Sequence, residues 1–168
     1  LPPDGKYYLP NSGWMENLPN KLIIGGWTVE EGQDYVAKSG RIHGWSVAYQ
    51  RGTSNVLMPQ EVYDNVVLYS SIEGATYTLG LSKERDLENG WVEIPKMFEI
   101  GDDAYFVKYQ DGNLIHYFVG FRYKNIGHFV NVYGRENEIS ENFLRGVCIK
   151  LIEKIQTYPL SSEVTFKP

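Results

Sequence analysis

Three histidines are the residues of this chain whose type is best suited to chemistry, because an imidazole can bind a metal ion or move a proton near neutral pH. His43 lies in a predicted turn over 40–45, and His116 and His128 come from two neighbouring predicted strands. A metal site would need a third ligand, from His43, Asp102 or Asp103. The chain has no His-x-His or His-x-x-x-His spacing. The pattern therefore favours hydrogen-bonding sheet residues over a metal site formed by the histidines.

Other arrangements that could carry out catalysis are weaker still. No serine stands in a Gly-x-Ser-x-Gly setting, and Cys148 falls in the apolar stripe of a predicted helix, away from any obvious base. Asp102 and Asp103 are adjacent, so on a strand their side chains would point to opposite faces and could not share a proton. We therefore predict no catalytic residue and no cofactor.

Aromatic residues are unusually frequent and suggest recognition instead. The chain contains 13 Tyr, 7 Phe and 4 Trp, which together make up 14% of its residues. All four tryptophans, Trp14, Trp27, Trp45 and Trp91, directly follow a glycine. Such a glycine can permit a sharp strand entry beside a bulky ring, and most tryptophans are simply buried. The functional alternative is that these rings form a platform for a flat ligand.

Length and charge exclude several classes of protein. A chain of 168 residues fits one domain, and its net charge of −5 includes no cluster of basic residues. We therefore expect neither nucleic-acid binding nor a polybasic membrane contact. No apolar run is long enough to span a membrane, and the single cysteine excludes an internal disulfide. The chain starts at Leu1, which we interpret as the result of signal-peptide removal, so we expect an extracytoplasmic location.

The first part of the chain divides into an arm and the start of a domain. Residues 1–26 are rich in Pro, Gly and Asn and are predicted to form an extended arm, and residues 27–168 a single domain. A capping box beginning at Thr28 predicts a helix over 29–38. A strand is predicted over 44–51, and a second strand within 56–69.

The middle of the chain carries one further helix and a three-stranded meander. A second capping box at Ser70 starts a helix that contains Gly74 and Gly80, and the charged segment 82–90 is predicted to be a loop. A short strand is predicted over 91–94. Alternating residues then predict strands over 104–109, 114–123 and 129–133, joined by tight turns.

The long strand and the last helix define the predicted core. Residues 115, 117, 119, 121 and 123 share the core face of the long strand, whereas His116, Phe118 and Arg122 share the other face. Ser140 caps a helix whose apolar stripe runs from 143 to 155, and a short edge strand is possible over 164–166. The prediction is an α+β fold: an antiparallel sheet of five to seven strands with three helices, arranged as a three-layer sandwich.

The order of these segments resembles a known group of proteins. Segments 40–49, 101–106, 120–123 and 130–134, followed by the Ser140 helix, are similar to the pattern of the Mog1/PsbP-like α/β/α sandwich group. That group includes LpqN-type bacterial lipoproteins and related archaeal secreted proteins. The resemblance implies a non-catalytic protein: an extrinsic subunit docked on a membrane complex, a lipid-anchored envelope protein, or a binding partner of other proteins. It supplies no catalytic residues.

Three hypotheses of function follow. The leading one is a non-catalytic extracytoplasmic accessory or binding domain that docks on a membrane-associated or envelope protein complex. The first alternative is a small-ligand or glycan-binding protein, and the second is a metal-dependent enzyme that uses the histidines. The candidate binding residues are the four tryptophans and the exposed-face residues of the long strand: Trp14, Trp27, Trp45, Trp91, His116, Phe118 and Arg122.

Overall fold

The structure, a computed structural model, describes residues 7–8, 15–16, 29–51 and 58–157. Most of the predicted N-terminal arm lies outside these residues, and so does the predicted edge strand over 164–166. Trp14 and Trp27 also lie outside them. The division into an arm and a single domain therefore stays a prediction.

The described residues contain three α-helices and eight strands. The helices are α1 (Val29–Ser39), α2 (Ile72–Glu88) and α3 (Glu141–Thr157), and the strands are β1 (Tyr7–Tyr8), β2 (Met15–Glu16), β3 (Arg41–Arg51), β4 (Glu61–Tyr69), β5 (Val92–Glu93), β6 (Asp103–Asp111), β7 (Leu114–Tyr123) and β8 (Ile126–Gly134). Within the described ranges, no helix combines the length and the apolar character needed to cross a membrane.

The strands form one antiparallel sheet. Its order is β1-β3-β4-β8-β7-β6-β5, with β2 also paired to β3. Three of the eight strands are only two residues long. The predicted fold class is confirmed: an α+β fold with an antiparallel sheet and a C-terminal helix. We call the two sides of the sheet the α3 face and the α2 face, after the helix that packs on each.

The α3 face carries the larger core. Val119 and Phe121 of β7 and Val130 of β8 are fully buried there against Leu144 and Cys148 of α3. Burying one such aliphatic or aromatic side chain stabilises the fold by about 1.5–3 kcal/mol. The core face predicted for the long strand is therefore confirmed.

Helix α2 is longer than predicted. The segment 82–90 was expected to be a loop, which is wrong because the helix continues to Glu88. Two residues of this segment, Ser82 and Asp86, bond the hydroxyl of Tyr105 on the sheet, each at 2.8 Å. Gly74, expected to weaken the helix, lets α1 and α2 pack closely, because a Cβ there would lie 1.9 Å from the carbonyl oxygen of Ser39.

Candidate functional site

Helix α2 covers only part of its face of the sheet. Beneath it, Val67, Tyr105, Val107 and Phe129 are buried together with Ala75 and Leu79 of the helix. Two residues beyond Val107 on β6, and four residues beyond Phe129 on β8, the side chains are more exposed. His116 and Tyr133 are half-buried and Tyr109 is 40% exposed. The described helices therefore leave the far half of this face partly open.

Five rings meet on this partly open half, and we call them the aromatic surface: Trp91, Tyr109, His116, Phe118 and Tyr133. The Trp91 ring lies 5.7 Å from Tyr109, 6.0 Å from His116 and 5.8 Å from Phe118, measured between ring centroids. Such separations are those of favourable aromatic pairs. Phe118 in turn contacts the buried rings of Tyr105 and Phe129, so the surface is continuous with the core under α2.

The rings of His116 and Tyr133 stand upright on the sheet. They are cross-strand partners, their centroids are 5.0 Å apart and their planes differ by 18°. This separation is close to the spacing of adjacent strands, so the two faces are turned towards each other. The edges and polar tips of these rings therefore point outwards, while the two ring faces that are turned towards each other are in mutual contact.

Polar groups with unmet hydrogen-bonding capacity lie between and beside the rings. His116 Nδ1 and Asn131 Oδ1 are buried atoms without a hydrogen-bond partner in the described part of the chain. At the rim, Gln50 donates to a Glu61 carboxylate oxygen at 2.9 Å. Burial, and then the Glu61 carboxylate, raise the pKa of Tyr133, so its hydroxyl is protonated at neutral pH and can donate a hydrogen bond.

The structure brings together three of the seven candidate binding residues, namely Trp91, His116 and Phe118. Arg122 shares their face but lies at the opposite end of β7, where it forms an ion pair with Asp102 at 3.3 Å. Trp45 lies on the α3 face, stacked on His43 at 5.4 Å. Trp14 and Trp27 lie outside the described residues.

The three histidines do not converge. His116 is on the α2 face, whereas the register pairs His128 with Phe121 and so places it on the α3 face. There His128 Nδ1 lies 3.2 Å from a carboxylate oxygen of Asp64, and both side chains are buried. Among the residues that the structure describes, no group of three His, Cys, Asp or Glu side chains could hold a metal ion.

Cys148 lies on the same face as this buried pair. It is completely buried, and burial raises the pKa of its thiol, with a further contribution from the negative charge of Asp64. A thiol whose pKa is raised in this way carries little thiolate at neutral pH and is a poor nucleophile. Cys148 is therefore a weak candidate for a nucleophile.

Two members of the aromatic surface, Tyr109 and Tyr133, were not candidates from the sequence. The signal that could have found them is the register of the two hairpins. Counting back from the β6–β7 turn pairs Tyr109 with His116, and counting from the β7–β8 turn pairs Tyr133 with the same histidine. Directly opposed residues share a face of an antiparallel sheet.

Comparison with known proteins shows a shared fold. The extracellular domain of PknH from Mycobacterium tuberculosis has a similar structure, with a TM-score of 0.52. The similarity covers 90% of this chain and 82% of that domain, at 14% sequence identity. No protein-family model matches the chain, and no curated protein matches it. At this level of identity the similarity concerns the fold alone.

Proposed function

We propose that this chain is a non-catalytic binding domain that recognises another protein through the aromatic surface. One observation carries the proposal: five rings contact one another on the half of the α2 face that the described helices leave partly open. Aromatic residues are enriched at the centres of protein interfaces, where they supply a large contact area and a polar tip.

The charge of this half of the face favours a partner with basic side chains. Glu61 and Asp111 supply carboxylates there, and no Lys or Arg occupies the strand positions that share the surface. Those positions are Ala48, Gln50, Glu61, Tyr63, Tyr109, Asp111, Leu114, His116, Phe118, Asn131 and Tyr133. Arg or Lys of a partner would pair with these carboxylates and so complement the surface.

A flat sugar-binding platform is less well supported. Stacking on a sugar requires an open ring face, and the facing sides of His116 and Tyr133 are turned towards each other. Of the four tryptophans, Trp91 is on the surface, and Trp45 is on the opposite face of the sheet. A protein segment can use outward ring edges and polar tips, so the geometry favours a protein partner.

We place this function outside the cytoplasm. The similarity in fold to an extracellular domain supports that location, as does the resemblance of the sequence pattern to the Mog1/PsbP-like group, whose members dock on membrane or envelope complexes. In cells of the native organism, protease added outside the cytoplasmic membrane should degrade the protein. Full protection until the cytoplasmic membrane is broken would contradict this location.

The test of binding uses two tyrosines with matched exposure. Tyr109, in the aromatic surface, is 40% exposed, and Tyr77, on α2, is 39% exposed. The wild-type chain and the variants Tyr109→Ser and Tyr77→Ser are immobilised and exposed to envelope extract. We expect a protein that the wild type and Tyr77→Ser retain and Tyr109→Ser loses, with retention that weakens as salt rises.

Two results would contradict the proposal. One is equal retention of every bound protein by Tyr109→Ser and Tyr77→Ser, because the aromatic surface would then contribute nothing. The other is binding of carbohydrate, measured on a glycan array, that Tyr109→Ser abolishes while no protein is retained. That second result would show that the aromatic surface binds a sugar and not a protein.

A further inference from the structure

Arg41, the first residue of β3, is a buried charged residue. The residue is 7% exposed, and its Nε and Nη2 atoms have no hydrogen-bond partner in the described part of the chain. It forms none of the ion pairs seen between described residues. Burying an uncompensated charge is strongly unfavourable, and an arginine cannot avoid that penalty by losing its proton.

The backbone is shaped to hold this guanidinium. A Cβ on Gly44 would lie 2.1 Å from Nη2 and 2.9 Å from Cζ of Arg41, so the guanidinium lies directly over the glycine. The pairing of β3 with β4 shifts register between Arg41 and His43, and the Arg41 backbone N–H donates to the Ser39 hydroxyl at 3.3 Å. A side chain at position 44 would exclude the guanidinium from this position.

Hydroxyl groups lie in the same seam, between α1, α2 and the sheet. The Tyr35 hydroxyl is 3.3 Å from the hydroxyls of both Tyr69 and Thr78, and all three residues are buried. Burial and Tyr35 raise the pKa of Tyr69, and the positive charge of Arg41 acts in the opposite direction. The Arg41 charge therefore acts in a region of hydroxyl groups, and no carboxylate of the described residues forms an ion pair with it.

We propose that the Arg41 guanidinium, lying over Gly44, is the anchoring group of a binding site for a small oxyanion, either a carboxylate or a phosphate. The planar fork of a guanidinium matches both groups through two parallel hydrogen bonds. The site is at the opposite end of β3 from Gln50 and the aromatic surface, so anion binding is independent of the proposed recognition of a protein.

The test compares the whole chain with Arg41→Met, which keeps an unbranched apolar side chain and removes the charge. Thermal unfolding is followed in chloride buffer while inorganic phosphate, or acetate in a second series, replaces chloride at constant ionic strength. We expect the Tm of the wild type to rise with one of these anions and to follow the logarithmic dependence of specific binding. The anion that acts identifies the preferred group.

We expect Arg41→Met to lose that rise and, in chloride alone, to be at least as stable as the wild type, because the uncompensated charge is gone. Gly44→Ala provides a second variant that keeps the charge and displaces the guanidinium. It should weaken the apparent anion affinity at least tenfold. The proposal is overturned if neither anion raises the wild-type Tm, if Arg41→Met responds as the wild type does, or if Gly44→Ala leaves the response unchanged.

Discussion

The close contact between Gly120 and Tyr105 makes Gly120→Ala the most informative change to the fold. A Cβ on Gly120 would lie 2.1 Å from Cε1, 2.7 Å from Cζ and 2.9 Å from Cδ1 of the Tyr105 ring. Ordinary carbon contacts begin near 3.5 Å, so the ring would have to move by more than 1 Å. It is held by hydrogen bonds from its hydroxyl to Ser82 and Asp86 on α2, both 2.8 Å long.

The magnitude follows from these contacts. Overpacking a core costs about 1–3 kcal/mol. Disturbing two hydrogen bonds adds about 1 kcal/mol each, discounted because Asp86 is only half-buried and water can reach it. Replacing glycine by alanine in a strand returns up to about 1 kcal/mol. The expected loss in free energy of unfolding is therefore about 1–4 kcal/mol.

Urea unfolding of Gly120→Ala, and of the same change in a Tyr105→Leu background, measures this directly. With the ring removed, the alanine should cost less than about 1 kcal/mol, so the two changes should be clearly non-additive. The reasoning is refuted if Gly120→Ala alone lies within about 0.5 kcal/mol of the wild type, or if the two changes add.

Three further expectations concern stability. Gly80→Ala should stabilise the chain by about 0.5–1 kcal/mol in urea unfolding, because Gly80 lies inside α2 with nothing within 4 Å of an added Cβ; a loss of stability would contradict this. Asp64→Ala should cost about 3 kcal/mol or more, since it leaves the buried His128 ring unpaired; an unchanged urea midpoint would show that the pair contributes nothing. Burial acts to raise the pKa of Glu138, but a backbone N–H and Arg51 outweigh it and lower the pKa below its ordinary value of 4.5. The stabilisation that the ionised Glu138 carboxylate contributes is therefore present above about pH 4.5, and it is lost as the pH falls through the lower pKa of the folded state. Glu138→Gln should lower the Tm at pH 7 and match the wild type in acid; a difference that persists there would contradict this.

The fold was largely predictable because its patterns are local. The Ser140 cap and the apolar stripe of the last helix predict α3, and alternation with two tight turns predicts the hairpins of β6, β7 and β8. The length of α2 was not predictable. Charged residues after Gly80 are typical of a loop, and the contacts from Ser82 and Asp86 to Tyr105 involve a strand 19 to 23 residues away in the chain.

The candidate site was only partly predictable for a similar reason. Alternation along β7 places His116 and Phe118 on one face, and no local pattern shows that α2 stops short of covering them. Strand register decides which residues join them: it brings in Tyr109 and Tyr133 and places His128 on the opposite face. Arg41 is a further case, because no local pattern shows that a charged residue at the start of β3 is buried.

Site-specific photo-crosslinking in the native organism tests the central claim most directly. A photoreactive phenylalanine analogue is placed at position 109, in the aromatic surface, or at position 77, on α2, where the exposure of the natural side chain is nearly equal. If the aromatic surface recognises a protein, illumination should give a protein adduct from position 109 and none from position 77. No adduct from position 109, or equal adducts from both positions, would contradict the account.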